Sequence, residues 1–144
     1  MKQIILSACL ITFIACFVSC RKENKDISTS IIGTWELRHS SAAMNPTTNN
    51  YPRGNGNLLK FTNDSYEIYK NNQLVQSGYY TIVNDSTVEE NVCLVFSAGR
   101  FTNRIIYDGN YNDSKQFIEI SNNKLTFISG CYALDDGHTS EYEK

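Results

Sequence analysis

The chain carries almost no net charge and contains only two histidines. Its 13 lysines and arginines are balanced by 15 aspartates and glutamates, which leaves a formal charge of −2. Proteins that bind nucleic acid or anionic lipid through electrostatics usually carry a strong positive charge, so neither is an expected partner. The two histidines, His39 and His138, have no close ligand spacing with each other or with a cysteine. We therefore expect no metal site and no cofactor.

The sequence also lacks the common patterns of catalytic residues. It contains no Gly-x-Ser-x-Gly elbow, and no Ser/His/Asp set stands out by its spacing. The acidic pairs Glu89-Glu90 and Asp135-Asp136 are adjacent in sequence, so on strands their side chains would point to opposite faces as solvated charges. The Gly-Asn-Gly stretch at residues 54–56 precedes no predicted helix that would hold a phosphate, and it is interpreted as a turn. These absences predict a protein that is not an enzyme.

The amino terminus predicts export from the cytoplasm. An uninterrupted apolar run from residue 4 to residue 18 follows Met1 and Lys2. The run is short for a membrane-spanning helix, which needs ~20 residues, but it suits the core of a signal peptide. It ends at Ser19-Cys20, and the charged stretch 21–26 follows directly. A small residue before a cysteine at this position resembles a bacterial lipobox, in which the cysteine is acylated and becomes the first residue.

This resemblance implies three regions in the chain. Residues 1–19 would be a lipoprotein signal peptide, residues 20–30 a polar tether lipidated at Cys20, and residues 31–144 a single domain. The partner would then be a membrane, reached through the lipid, at the periplasmic or the outer face of a bacterial envelope. Cys9 has a better local motif but too little apolar core before it, and Cys16 lies inside the run. An uncleaved anchor and simple secretion are the alternatives.

The remaining sequence predicts an all-β domain. Beyond the apolar run, no stretch of about ten residues has the 3.6-residue period of a helix, whereas alternation of apolar and polar residues recurs in short segments. Pairs such as Asn71-Asn72 and Asn122-Asn123 separate these segments, and such pairs favour tight hairpins. A strand begins near Trp35, and the other predicted strands cover residues 58–62, 65–70, 74–83, 88–96, 104–108, 116–121, 124–129 and 140–144. Residues 40–57, with both prolines, are predicted as a long connection.

An antiparallel meander of this kind removes its exposed edges by closing on itself. The predicted fold class is therefore an all-β, antiparallel up-and-down β-barrel of about eight or nine strands. A two-sheet sandwich is the alternative.

The region around the single tryptophan resembles the first strand of the lipocalins and their small bacterial relatives. Gly33 stands two residues before Trp35, at the start of the first strand. Three later motifs strengthen the resemblance, and they are Gly54-Asn55-Gly56-Asn57-x-Leu59-x-Phe61, Tyr66-Glu67-x-Tyr69 and Ser77-Gly78-x-Tyr80-x-Ile82. The resemblance implies a lipocalin-like domain that binds a small apolar or amphipathic molecule. It also implies a late basic residue against the indole, and Lys144 and Arg104 are the two candidates.

Two cysteines remain in the domain, Cys93 and Cys131. In an oxidising envelope compartment, an even pair in a small domain predicts a disulfide. Two buried free thiols are the alternative.

The interior of the barrel is the predicted binding region. If the face that carries Trp35 points inward, the interior is built from Leu37, Phe61, Tyr66, Ile68, Tyr80, Ile82, Leu94, Phe96, Ile106, Ile118, Leu125 and Phe127. The candidate ligand-binding residues are Trp35, Leu37, His39, Phe61, Tyr66, Ile68, Tyr80, Ile82, Phe96 and Phe127. An eight-stranded barrel is either filled by its side chains or holds one small ligand. The sequence therefore predicts a ligand-binding envelope lipoprotein, with a solid-cored interaction or structural lipoprotein as the alternative.

Overall fold

The computed structural model describes residues 27–144. The predicted signal peptide, Cys20 and most of the predicted tether lie outside these residues. The described part contains two short helices, α1 Ile27–Ile31 and α2 Val88–Val92, and a 3-10 turn, Tyr132–Leu134. Its strands are β1 Gly33–Ala42, β2 Asn45–Asn50, β3 Leu58–Phe61, β4 Ser65–Lys70, β5 Gln73–Asn84, β6 Asn103–Tyr107, β7 Gln116–Ser121, β8 Lys124–Ser129 and β9 His138–Glu143.

Eight of these strands form a closed antiparallel barrel. From β3 to β9 each strand pairs with the next along the chain, and β1 closes the ring by pairing with both β3 and β9. The ninth strand, β2, pairs with the second half of β1 and stands outside the ring. One closed sheet confirms the predicted barrel and excludes the two-sheet sandwich.

Asparagine pairs make two of the tightest turns. Asn71 and Asn72 join β4 to β5, and Asn122 and Asn123 join β7 to β8. All four have positive φ angles of 50° to 65°, which is the conformation of a two-residue type I′ hairpin. Asparagine adopts this conformation more readily than most other residues, because its short polar side chain bonds to the nearby backbone. The turn prediction is confirmed at both positions.

Two predicted elements are wrong. Residues 88–96, predicted as a strand, form helix α2 and an irregular segment. Val88 and Val92 are both buried, and a spacing of four residues places them on one face of a helix as well as on one face of a strand. The connection predicted at residues 40–57 contains the end of β1 and the whole of β2. The strand β2 has the polar sequence Asn-Pro-Thr-Thr-Asn-Asn, which shows no apolar alternation.

The domain has an inner and an outer hydrophobic cluster. The inner cluster lies inside the barrel and consists of Ile31, Trp35, Leu59, Phe61, Tyr66, Tyr80, Ile105, Ile118, Leu125 and Phe127. The outer cluster lies under α2 and consists of Val88, Val92, Phe101, Phe117 and Ile128, with Phe96 and Tyr132 packed against it. Alternation along β7 explains the division, because Phe117 joins the outer cluster and the next residue, Ile118, joins the inner one.

Three residues predicted to face inward do not. Leu94 is exposed, and Phe96 belongs to the outer cluster, where its ring centroid lies 5.1 Å from that of Phe101. In β6 it is Ile105 that joins the inner cluster, because it pairs with Ile82, whereas Ile106 pairs with Thr81 on the opposite face. Ile105 and Ile106 are adjacent and identical, so the sequence does not indicate which of the two faces the interior.

A disulfide fastens the outer cluster. The sulfur atoms of Cys93 and Cys131 are 2.04 Å apart, which confirms the predicted pair. Cys93 follows α2 directly, and Cys131 directly precedes the 3-10 turn. The bond therefore holds α2 against the outside of the barrel. Within residues 27–144, no helix has the length and hydrophobicity needed to cross a membrane.

Candidate functional site

The end of the barrel near α1 is tightly packed around the tryptophan. Trp35 is 1% exposed, and its indole Nε1 donates a hydrogen bond of 2.6 Å to the carbonyl oxygen of Ile31. The ammonium of Lys144 lies 4.5 Å from the centre of the indole ring and donates to the carbonyl oxygens of Ser30 and Ile32. A cation over an indole face is attracted by the ring quadrupole. Lys144 is therefore the basic residue against Trp35.

Arg104, the other candidate for that contact, lies elsewhere. Its guanidinium donates a hydrogen bond of 2.7 Å to the carbonyl oxygen of Tyr111, in the loop after β6. Trp35 is thus packed inside the end of the barrel that α1 covers.

A cavity of about 130 Å³ that is open to solvent lies toward the opposite end of the barrel. Its lining combines three apolar side chains with four polar ones, and consists of Leu59, Ile68, Tyr107, Gln116, Phe127, Ser140 and Tyr142. These residues come from six strands, because alternation gives each strand only one or two inward positions at this level. The site is therefore a property of the closed barrel and not of any one segment.

The four polar side chains of the lining have no hydrogen-bonding partner among residues 27–144. They are the phenols of Tyr107 and Tyr142, the amide of Gln116 and the hydroxyl of Ser140. The aromatic rings of the two tyrosines are nevertheless well packed. The ring of Tyr107 lies 4.5 Å from that of Tyr66, and the ring of Tyr142 lies 5.6 Å from that of Phe127. The rings are thus held in place while their hydroxyls stay available to a ligand.

Both cavity phenols are neutral at physiological pH, as an ordinary tyrosine is, and burial moves their pKa values further above it. Burial raises the pKa of Tyr142 to about 12, with a further contribution from the nearby Tyr51. It raises the pKa of Tyr107 still further, assisted by the neighbouring tyrosines, among them Tyr142. A neutral phenol both donates and accepts a hydrogen bond. At physiological pH the cavity therefore offers two phenol donors and no phenolate charge.

Two other buried tyrosines contrast with this pair. The hydroxyl of Tyr66 donates to Asp108 at 2.8 Å and accepts from the amide of Gln76 at 2.7 Å. The hydroxyl of Tyr80 donates to the carbonyl oxygen of Thr62 at 2.8 Å. Both phenols are satisfied by the protein itself, so they stabilise the barrel wall and have no remaining donor for a ligand.

The structure brings together only part of the predicted binding set. Ile68 and Phe127 line the cavity, whereas four residues are packed into the inner cluster or against it, and these are Phe61, Tyr66, Tyr80 and Ile82. Trp35 lies in the packed end, and Phe96 lies outside the barrel. Leu37 pairs with Tyr142 but does not line the cavity.

His39 faces away from the interior because of a β-bulge. The register between β1 and β9 shifts between Leu37 and His39, so Leu37 pairs with Tyr142 and His39 with Glu141. An extra residue in one strand reverses the alternation beyond it. On the outer face, Nδ1 of His39 lies 2.6 Å from the side-chain oxygen of Asn50 in β2.

Sequence reasoning missed five of the lining residues, and these are Leu59, Tyr107, Gln116, Ser140 and Tyr142. Some of them carried a usable signal. Gln116 is two residues before Ile118, and Ser140 and Tyr142 alternate along a predicted strand. Extending the inward pattern to polar positions would have found these three residues.

The described residues contain no group of three or more His, Cys, Asp or Glu side chains that could hold a metal ion. Comparison of the chain with protein-family models, with curated proteins and with solved structures finds no match.

Proposed function

We propose that the barrel binds one small, uncharged molecule that is largely apolar and carries a hydrogen-bonding group. The observation that carries the proposal is the cavity of about 130 Å³, in which four polar side chains have no partner among the described residues. All four residues are partly exposed, so their polar atoms are accessible to solvent. A ligand that makes hydrogen bonds to them would replace solvent at these atoms.

The volume limits the size of the ligand. An apolar protein cavity of ~150 Å³ accommodates a molecule such as benzene, and the present cavity is slightly smaller. The part of the ligand inside the barrel is therefore about the size of one aromatic ring. A longer amphipathic molecule would place one end in the cavity and leave the remainder outside it.

The lining also sets the charge of the ligand. None of its seven residues is acidic or basic. A charged group buried without a counter-charge loses far more hydration energy than a polar lining returns. A neutral molecule with a hydroxyl or carbonyl group fits this environment best, because phenols, an amide and a hydroxyl all pair with such groups.

We further propose that the chain is a lipocalin-like lipoprotein of a bacterial envelope, anchored through a lipid on Cys20. The apolar run that ends at Ser19-Cys20 supports the anchor, and the Cys93–Cys131 disulfide is of the kind that persists in an oxidising compartment. The closed barrel and the Lys144–Trp35 contact support the likeness to lipocalins. Intact mass of the membrane-bound protein tests the anchor: loss of residues 1–19 with an added lipid mass is expected. Cys20→Ala should abolish membrane partitioning, and unchanged partitioning would contradict the proposal.

A structural or interaction lipoprotein is the second candidate. The cavity is smaller than the ~300–1,000 Å³ of most ligand sites, and the ring contact of Phe61 with Tyr80 at 5.0 Å shows how densely the rest of the interior is filled. In this case the cavity would have no ligand, and function would lie on the outer surface.

Binding of a ring-sized probe separates the two candidates. Phenol and benzyl alcohol should shift the amide resonances around Phe127 and Ser140 saturably, at a single site. A ligand of this size should bind with a dissociation constant of about 0.1–10 mM. Ser140→Phe places a ring in the cavity and should abolish the shifts.

Thr126→Phe is the matched control, because Thr126 lies on the neighbouring strand between Leu125 and Phe127, on the outer face. It should bind the probes as the wild type does. Absence of saturable shifts in the wild type, or undiminished binding by Ser140→Phe, would favour the solid-cored lipoprotein.

A further inference from the structure

A polar cavity lies on the outer wall of the barrel, where β2 joins β1. In this region β1 pairs with β9 on one side and with β2 on the other, so the three strands form a local sheet with β1 in the middle. The cavity has a volume of about 290 Å³ and is open to solvent. All of its lining residues are polar, and they are His39, Ser40, Ser41, Thr48, Thr139 and Glu141.

The β-bulge in β1 brings His39 to this cavity. His39 pairs with Glu141 of β9 and with Asn50 of β2, so the three side chains form one row on the outer face. Bulges are often found where a side chain is turned toward a functional site. Nδ1 of His39 lies 2.6 Å from Oδ1 of Asn50, and Nδ1 is the donor because that oxygen can only accept. In the neutral ring, Nε2 is therefore left as a hydrogen-bond acceptor.

Other polar groups of the cavity are also available to a ligand. Among the described residues, the hydroxyls of Ser41 and Thr48 form no hydrogen bond. The carboxylate of Glu141 lies 3.8 Å from the ammonium of Lys124 and accepts no hydrogen bond from a side chain within residues 27–144. The cavity therefore combines groups that only accept, the carboxylate and Nε2 of His39, with hydroxyls that both donate and accept.

We propose that this cavity binds one sugar ring through the hydroxyl groups of the sugar. A sugar hydroxyl can donate to Glu141 or to Nε2 of His39 and, at the same time, accept from a serine or threonine hydroxyl. Hydrogen bonds to a carboxylate are roughly twice as strong as those between neutral groups. The volume is about twice the ~150 Å³ that holds benzene, and a pyranose has about twice as many non-hydrogen atoms as benzene.

The charge and composition of the lining disfavour other classes of ligand. The carboxylate of Glu141 would repel an anion, and the nearby ammonium of Lys124 reduces its attraction for a cation. An apolar molecule would meet only polar residues. The cavity inside the barrel involves Ser140 and Tyr142, which alternate with Thr139 and Glu141 along β9 and face the other way. The sugar site is therefore separate from the proposed interior site and does not depend on it.

Titration of the full-length protein in detergent with glucose, galactose and N-acetylglucosamine, followed by NMR, tests this site. At least one sugar should shift the amide resonances of His39, Thr139 and Glu141 saturably, with a dissociation constant of about 0.1–10 mM. Glu141→Gln keeps the size of the side chain and removes the charge of the acceptor, so it should weaken binding about tenfold. His39→Phe keeps a ring but removes Nε2, and it should weaken binding as well.

Glu67→Gln is the matched control. Glu67 is a strand glutamate on the outer face that lies 4.0 Å from the ammonium of Lys60, but it does not line this cavity. The variant should bind the sugars as the wild type does, and thermal melts should show all variants folded.

Three results would overturn the proposal. The first is a wild type that none of the three sugars saturates. The second is binding that Glu141→Gln leaves undiminished or that Glu67→Gln weakens equally. The third is a set of shifts confined to Ser140 and Phe127, which would place the sugar inside the barrel.

Discussion

Loss of the Cys93–Cys131 bond should destabilise the domain strongly. The two cysteines are 38 residues apart in sequence, so the bond closes a long loop in the unfolded chain. In the chain-entropy description, a loop of this length contributes about 4 kcal/mol at 25 °C. The bond also holds α2 in place, and with it the packing of Val88 and Val92 on the outer cluster. Cys93→Ala should therefore lower the midpoint of thermal unfolding by roughly 10–20 °C, given the usual relation between stability and midpoint.

Comparison of single and double variants distinguishes a cross-link from ordinary packing. Cys131→Ala should cost the same as Cys93→Ala, and the double variant should be little worse than either, since the bond is lost only once. Reductant should lower the midpoint of the wild type by a similar amount and leave the double variant unchanged. Calorimetry of all four proteins provides the measurement. A loss below about 2 °C, or two single losses that simply add, would refute the reasoning.

Two further predictions concern polar groups of the barrel. Tyr142→Phe should change the free energy of unfolding by less than about 0.5 kcal/mol while weakening probe binding. Tyr66→Phe should lower the free energy of unfolding by about 1–2 kcal/mol, because it removes a hydrogen-bonding partner of Asp108. Urea unfolding of both variants provides the comparison, and equal losses of stability would contradict this prediction. Burial alone would raise the pKa of Asp85, but hydrogen bonds from Thr87 and Lys115 lower it to about 2. The stability that the Asp85 carboxylate contributes is thus present above pH ~4 and lost as the pH falls toward 2. Asp85→Asn should make the free energy of unfolding less dependent on pH in this range. An unchanged dependence would exclude this contribution of Asp85.

The barrel itself was predictable because its signals are local. Asparagine pairs such as Asn122-Asn123 mark hairpins regardless of what surrounds them, and alternation marks a strand with one buried face. The helix α2 was not predictable on the same grounds. Its buried residues, Val88 and Val92, are spaced as both a helix and a strand would space them, and only packing on Phe117 and Ile128 decides between the two.

The candidate site depended on features that alternation does not encode. A single extra residue in β1 turns His39 to the outer face, and no residue type in that strand announces the bulge. In β6 either isoleucine could have faced the interior, and pairing with Ile82 selects Ile105. The polar lining was missed for another reason. A search for apolar interior positions passes over Gln116 and Ser140, although these residues give the cavity its chemistry.

The two ends of the barrel differ in how their polar groups are bonded. Near α1, the indole of Trp35 has a carbonyl partner, and the phenol of Tyr80 has another. Around the cavity, the phenols of Tyr107 and Tyr142 have no such partner among the described residues, but both residues are partly exposed and their hydroxyls are accessible to solvent. Replacing either tyrosine with phenylalanine would therefore keep the ring packing at little cost in stability. Neither hydroxyl is needed for the fold, which leaves both available for the proposed ligand.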